Sequence, residues 1–173
     1  MTRLLGRRRP PAEALAPLDR HERVASWAST VDGGAVVATP LGLWLPAAGG
    51  DAAERLPWHL IDKATWRDGT LTVTAAADSG SGVLTEQPPR AVRLAQPRDL
   101  PQTVRVRVLR AIAFSRHYPL PSGGGVRVVG RRVPGRDGLS WQLVFDPGVD
   151  RDDPAVRAHA AVLVDQSRAE VGL

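Results

Sequence analysis

The chain has no cysteine, so it forms no disulfide and offers neither a thiolate metal site nor a cysteine nucleophile. It also has no apolar run approaching the ~20 residues that a transmembrane helix needs. The basic N-terminus is not followed by the apolar segment of a secretory signal. We therefore expect a cytoplasmic protein without a transmembrane segment.

Lysine is nearly absent as well, because all but one of the 23 lysines and arginines are arginine. Four of the five net positive charges lie in the first eleven residues, so the rest of the chain is close to neutral despite a sequence pI of about 11.0. We interpret residues 1–17 as a disordered Arg- and Pro-rich tail. Through Arg7, Arg8 and Arg9 it would add weak, salt-sensitive attraction to nucleic acid or an anionic membrane.

A second basic stretch contains eight arginines and no acidic residue between Val104 and Arg136. The residues after it are rich in aspartate. Two interpretations remain open: the arginines pair with these acids across the fold, or they form an anion-binding face from Arg105 to Arg136. The candidate binding residues in this stretch are Arg116, His117, Arg127, Arg131 and Arg132.

Residues 18–95 carry the pattern of seven short strands separated by turn signals, which is typical of a sandwich or barrel. The clearest pair is Trp58–Trp66 and Thr70–Ala75, joined at Asp68-Gly69 as a tight hairpin. Since strand side chains alternate, Trp58 and His59 should face opposite sides of the sheet. The segment preceding this hairpin is predicted to be a loop, with a few helical residues before Arg55.

Beyond these strands, Asp99 is predicted to cap a helix from Leu100 to about Arg110. The alternation of valine and arginine in that segment would suit a strand equally well. The remaining predicted elements are a strand ending at Tyr118, a hairpin of Val126–Val133 with Ser140–Phe145, and a helix from Pro154 to about Glu170 that is capped by Asp152 or Asp153.

Seven strands followed by a helix at Asp99 resemble a pleckstrin-homology-like (PH-like) barrel, in which a C-terminal helix caps two nearly orthogonal sheets. The spacings Ile61-x-x-Ala64-x-Trp66 and Gly69-x-Leu71-x-Val73 are similar to strand pairs of bacterial members. The resemblance implies a mainly β, α+β fold. Residues 18–116 would form the barrel and helix, and residues 117–173 a β-hairpin or meander and a C-terminal helix packed on it.

The loop Val31–Gly34 is acidic and small, whereas lipid-binding members of the PH-like fold place basic residues there. The resemblance therefore does not imply binding of inositol lipids. The whole chain also resembles a family of actinobacterial proteins of unknown function that share the run Leu56-Pro57-Trp58-His59 and the ending Phe145-Asp146-Pro147-Gly148. That family implies no mechanism.

No motif of catalysis stands out. His59 and Asp62 are three residues apart in a predicted strand and should face opposite sides, and His117 has no carboxylate near it in the sequence. The four histidines have no metal-ligand spacing, and Gly123-Gly124-Gly125 lacks the ending of a phosphate loop. We expect no cofactor and no metal.

Our leading hypothesis is a non-enzymatic cytoplasmic binding or adaptor module with a protein partner. An exposed tryptophan pair including Trp44 or Trp58, next to His59, would mark the contact surface. The first alternative is nucleic-acid or anionic-surface binding through the Arg105–Arg136 face. The second is an enzyme for a small phosphorylated substrate, which needs His117 to converge with Arg127, Arg131 or Arg132 in one concave pocket.

Overall fold

The computed structural model describes residues 9–47, 53–78 and 82–172. Its first part is built almost entirely of strands. In chain order the elements are α1 (Ala12–Leu15), β1 (Ser26–Thr30), β2 (Ala35–Ala38), β3 (Gly42–Leu45), β4 (Glu54–Pro57), a 3-10 turn (Trp58–Leu60), β5 (Ile61–Arg67), β6 (Thr70–Asp78), β7 (Leu84–Glu86) and β8 (Arg90–Gln96).

These strands form one curled antiparallel sheet, which we call the large sheet. Its continuous path is β4-β3-β2-β1-β8-β6-β5, and β7 pairs with β6 away from that path. The helix α2 (Leu100–Ala111) fills the concave side, burying Leu100, Val104 and Val108 against apolar strand residues such as Leu43 and Leu71. The prediction of a mainly β, α+β fold is confirmed at this level.

A second, smaller sheet follows. The strands β9 (Ile112–Pro119), β10 (Gly125–Arg131) and β11 (Ser140–Phe145) are antiparallel in the order β11-β10-β9. The helix α3 (Pro154–Val171) covers one face of this three-stranded sheet. Its predicted capping is confirmed, because the Asp153 side chain accepts a hydrogen bond from the Ala155 backbone N–H at 2.7 Å.

The predicted hairpin between β5 and β6 is confirmed. Asp68 and Gly69 both adopt positive φ, at 49° and 77°, which is the backbone of a type I′ turn. The ambiguous segment after Asp99 is helical over Leu100–Ala111 and then extended over Ile112–Pro119, as predicted. Tertiary packing selects the helix, because it buries Val104 and Val108 in the large sheet.

The start of the hairpin was predicted wrongly. The strand β4 occupies Glu54–Pro57, where no separate strand was predicted, and the chain then makes a 3-10 turn at Trp58–Leu60 instead of continuing as a strand. Pro57 is compatible with β4 because this strand lies at the sheet edge, where a missing N–H is tolerated. A further irregularity between Ile61 and Lys63 shifts the register of β5. The side chains from Trp58 onward therefore do not show the regular alternation between the two faces of the sheet that was predicted.

The Asp99 side chain does not cap α2. It accepts a hydrogen bond from the Ser26 hydroxyl at 2.8 Å and makes none to the helix. Asp99 has helical φ and ψ angles, whereas a capping residue is normally extended, so its carboxylate points away from the first turn. The residue instead ties the start of α2 to β1.

Half of the predicted tail, residues 1–8 with Arg7 and Arg8, lies outside the described residues. In the described remainder Arg9 is exposed and Pro10 is buried. The short helix α1 lies against β2. Among the described residues there is no helix with the length and apolar character needed to cross a membrane.

Candidate functional site

The three-stranded sheet carries different chemistry on its two faces. Because side chains alternate along β10, Val126 and Val128 face α3, whereas Arg127 and Arg131 face the large sheet. Alternation along the flanking strand β9 places His117 opposite Arg127 in the register, on the same face. The face turned toward the large sheet is therefore polar.

A buried ionic cluster joins this polar face to the start of β5. The Asp62 carboxylate accepts hydrogen bonds from Arg127 at 3.0 and 3.2 Å and from Arg131 at 3.1 Å. Arg131 also donates to the Ile61 carbonyl at 2.8 Å, and its side chain is only 1% exposed. Burial lowers the pKa of Arg131, while the negative charge of Asp62 acts in the opposite direction.

The same junction holds His59 and Gln142. The Gln142 amide donates to the His59 carbonyl at 3.2 Å, so side chains of the smaller sheet satisfy backbone oxygens at the edge of the larger one. Burial lowers the pKa of His59, and the positive charges of Arg131 and Arg136 lower it further. Both effects favour the neutral form of the ring.

An open cleft lies beside this cluster, between β7 and the polar face of the three-stranded sheet. We call it the inter-sheet cleft. Its volume is about 600 Å³, which falls in the usual range for small-ligand sites. It is lined by Leu84, Thr85, Glu86, His117, Arg127, Val144, Phe145, Asp146, Pro147, Val149 and Arg151.

His117 and Asp146 meet at this cleft. The His117 Nε2 atom lies 3.1 and 3.0 Å from the two carboxylate oxygens of Asp146. Between them lies the backbone of Gly125, where a Cβ atom would collide with the imidazole ring. A glycine at this position thus lets the ring lie across β10 and reach a carboxylate beyond the neighbouring strand. In the neutral ring the Nε2–H donates to Asp146, which leaves Nδ1 as an acceptor.

Two arginines contribute positive charge. Arg127 projects from β10 and is 35% exposed despite its contact with Asp62. Arg151 follows β11 and donates to the Thr85 hydroxyl at 2.7 Å, so it connects the two walls of the cleft. The cleft therefore combines two guanidinium groups and an imidazole with the carboxylates of Glu86 and Asp146, and Val144 supplies an apolar part of its floor.

The other predicted site residues lie elsewhere. Trp58 is 2% exposed and donates its indole N–H to the Thr39 carbonyl at 2.9 Å, so it is a core residue and does not form an exposed contact pair. Trp44 is half-buried and donates to the Glu22 carboxylate at 3.1 Å. His59 belongs to the buried junction described above. Arg132 is exposed and donates to the Arg110 carbonyl at 3.1 Å, near the end of α2.

The arginines from Arg105 to Arg136 do not form one face. Arg116 lies on the α3 side, where it pairs with Glu170 at 2.7 Å, as the interpretation of pairing with C-terminal acids predicts. Arg127 and Arg131 point the opposite way and pair with Asp62, an acid from the large sheet. Arg105 and Arg110 are carried by α2. The charge is thus divided among several surfaces.

Sequence reasoning missed Asp146, Arg151 and Thr85. They reach His117 only through strand pairing and through the approach of β7 to β11, where Val83 bridges Leu143. One signal was present in the sequence. Aligning the predicted strands as a β9–β10–β11 meander would have placed His117 and Asp146 on the same face of the sheet, with the small residue Gly125 between them. The spacing of 29 residues hides the pair from any local motif.

A comparison with models of protein families, with curated proteins and with solved structures found no match for the chain. Across the three described ranges, no group of three His, Asp or Glu side chains could hold a metal ion.

Proposed function

We propose that this chain is a non-enzymatic binding module whose ligand carries a phosphate group, bound in the inter-sheet cleft. The observation that carries the proposal is the convergence of His117, Arg127 and Arg151 from three different elements on one concave surface. Guanidinium groups pair with phosphate oxygens through two parallel hydrogen bonds, and an imidazole adds a third donor when it is protonated. The phosphate belongs either to a free small molecule or to a modified partner protein.

The contacts around the cleft support a preformed site. Asp62 fixes the Arg127 side chain, Thr85 fixes Arg151, and Asp146 fixes His117. Holding cationic side chains in place reduces the entropy that a ligand would otherwise lose on ordering them. The apolar residues Val144 and Val149 offer a surface for the part of the ligand next to the phosphate.

The binding test is a titration of the full chain with phenyl phosphate, followed by NMR of the arginine and histidine side chains. We expect saturable binding, and Arg151→Gln should weaken it about tenfold because one charge-assisted contact is lost. The matched control is Arg105→Gln, an exposed arginine on α2 that does not line the cleft. A peptide bearing phosphoserine, tested beside phenyl phosphate, distinguishes a modified partner protein from a free small molecule.

Equal weakening by Arg151→Gln and Arg105→Gln would show that attraction is nonspecific and would overturn the proposal. A lack of saturable binding by either probe would do the same. If high salt abolished binding of both probes and neither arginine substitution weakened it selectively, the binding would instead be a general attraction of anions to the positive charge of the chain.

An enzyme for a phosphorylated substrate is the second candidate, and the pairing of His117 with Asp146 favours it. A carboxylate that orients an imidazole is the arrangement used in general acid–base catalysis. If the chain is a binding module, it should release phosphate from para-nitrophenyl phosphate no faster than its His117→Gln variant does. A rate that depends on His117 would select the enzyme and reject the non-enzymatic proposal.

We further propose that the large sheet and α2 together form a PH-like barrel. Support comes from the path β4-β3-β2-β1-β8-β6-β5 and from a helix following the last of these strands and packing on the concave side. Backbone NOEs across the β1–β8 pair and from α2 to β5 test the assignment. A measured strand order that separates β1 from β8 would exclude it.

A further inference from the structure

A second groove lies on the opposite face of the three-stranded sheet, between the edge strand β11 and the helix α3. We call it the helix groove. Its volume is about 360 Å³, at the lower end of the range for small-ligand sites. The apolar surface comes from Trp141, Leu143 and Phe145 on β11 and from Ala161 and Val164 on α3.

The floor of the helix groove is apolar but incompletely covered. Trp141, Leu143, Phe145 and Val164 pack against the core below them and are only partly buried. One wall is completed by Gly82 and Val83, whose backbone reaches β11 through a hydrogen bond from the Leu143 N–H to the Gly82 carbonyl at 2.9 Å. The groove thus has three walls and is open along its length.

Charged residues stand at the two ends of this apolar floor. Arg157 and Arg168 both line the groove and are eleven positions apart on α3, which corresponds to about 16 Å along the helix axis. Arg168 pairs with Asp165 at 3.2 Å, so the charge at its end is largely balanced. The end at Arg157 remains the cationic one.

We infer that the helix groove binds a small amphipathic carboxylate, with the carboxylate at Arg157 and the apolar chain running along Ala161 and Val164 toward Arg168. Charge complementarity fixes this direction, because Asp165 at the far end repels a carboxylate. A planar guanidinium pairs with a carboxylate through two parallel hydrogen bonds. The modest volume favours a single-chain molecule over a protein segment.

The test uses the full chain labelled with ¹⁵N and titrated with sodium decanoate below its micelle concentration. We expect saturable shifts at the Trp141 indole N–H and at the amides of Leu143 and Val164, which line the helix groove and not the inter-sheet cleft. Decyltrimethylammonium has the same chain with a cationic head, and it should bind at least about tenfold more weakly because its charge meets Arg157.

Two substitutions locate the site. Arg157→Gln should weaken decanoate binding about tenfold, while the exposed control Arg105→Gln leaves it unchanged. Ala161→Trp should abolish binding by filling the groove. Because Ala161 is exposed on α3, this variant should keep the thermal unfolding midpoint of the original chain.

Three results would overturn the inference. The first is equal binding of decanoate and decyltrimethylammonium, and the second is a set of shifts confined to the inter-sheet cleft. The third is a concentration-dependent dimer that Ala161→Trp dissociates and that decanoate does not affect, which would assign the groove to a second copy of the chain. None of these depends on whether the inter-sheet cleft binds phosphate.

Discussion

The two faces of the three-stranded sheet are made by the same three strands, but one makes apolar contacts and the other makes ionic ones. The face toward α3 is apolar at its centre, where Val126 and Val128 meet Val156 and Leu163. The face toward the large sheet is ionic and carries His117, Arg127 and Arg131. Strand alternation therefore lets one sheet close a hydrophobic core on one side and present charged chemistry on the other.

The contacts made by these two faces also differ in how well they tolerate substitution of a residue. An apolar contact loses free energy in proportion to the area that is exposed, whereas a buried ion pair fails sharply when one partner is removed. The junction between the sheets depends on Asp62 and its two arginines. We therefore expect the polar face to give the largest single-residue effects.

The largest effect should come from Asp62→Ala, which leaves Arg131 buried without its carboxylate. We expect the free energy of unfolding to fall by about 3–5 kcal/mol, the usual cost of breaking a buried pair from one side. Urea denaturation measures it, with Asp137→Ala as the control because Asp137 is exposed in a loop. Adding Arg131→Met to Asp62→Ala should restore part of the loss. Equal stability of the Asp62 and Asp137 variants would contradict the role assigned to the cluster.

A smaller effect should follow Gly125→Ala. The new methyl group collides with the His117 ring and lies 2.8 Å from the Tyr118 carbonyl, so we expect a loss of about 1–3 kcal/mol, as for other overpacked sites. The histidine NMR signals should show that Nε2 has left Asp146. In a His117→Ala background the same substitution should cost less, since only the carbonyl contact remains. An equal cost in both backgrounds would mean that Gly125 does not serve to place His117.

The smallest effect concerns pH and tests whether the junction is sensitive to protonation. The folded-state pKa of His59 is lowered, so the unfolded chain takes up the proton first as the pH falls. The contribution of neutral His59 to the free energy of unfolding is therefore present above the ordinary histidine pKa of about 6.5, and it is lost as the pH falls below that value. Urea denaturation at about pH 8 and about pH 5.5 should show a decline that is shallower in His59→Gln. A matching decline in that variant would assign the pH dependence to other groups.

Local patterns predicted much of the fold. The Asp68-Gly69 turn, the helix after Asp99 and the helix capped by Asp153 follow from turn chemistry, periodicity and capping. The 3-10 turn at Trp58–Leu60 did not follow, because the Trp58 indole donates to the Thr39 carbonyl, which is distant in the sequence. Local propensity describes what a segment tolerates, and tertiary contacts select among the options.

The candidate site was only partly predictable. His117 and Arg127 were identified from the sequence as chemically interesting residues, but Asp146 and Arg151 were not connected with them. Asp62 was considered only as a partner of His59, yet it pairs with Arg127 and Arg131. The pairs that build the cleft and its supporting cluster join residues far apart in the chain, and no periodic pattern encodes such pairings.

Residue types and near neighbours suffice to predict the strand-rich class, the two longer helices, the tight hairpin and the absence of thiol chemistry. Which face of each strand is buried, and which charges meet, depends on contacts between residues that are distant in the chain. A buried guanidinium such as Arg131 is stable only where the fold supplies Asp62 and a backbone carbonyl together. The inter-sheet cleft exists for the same reason, because it forms where the two sheets are held together by those contacts.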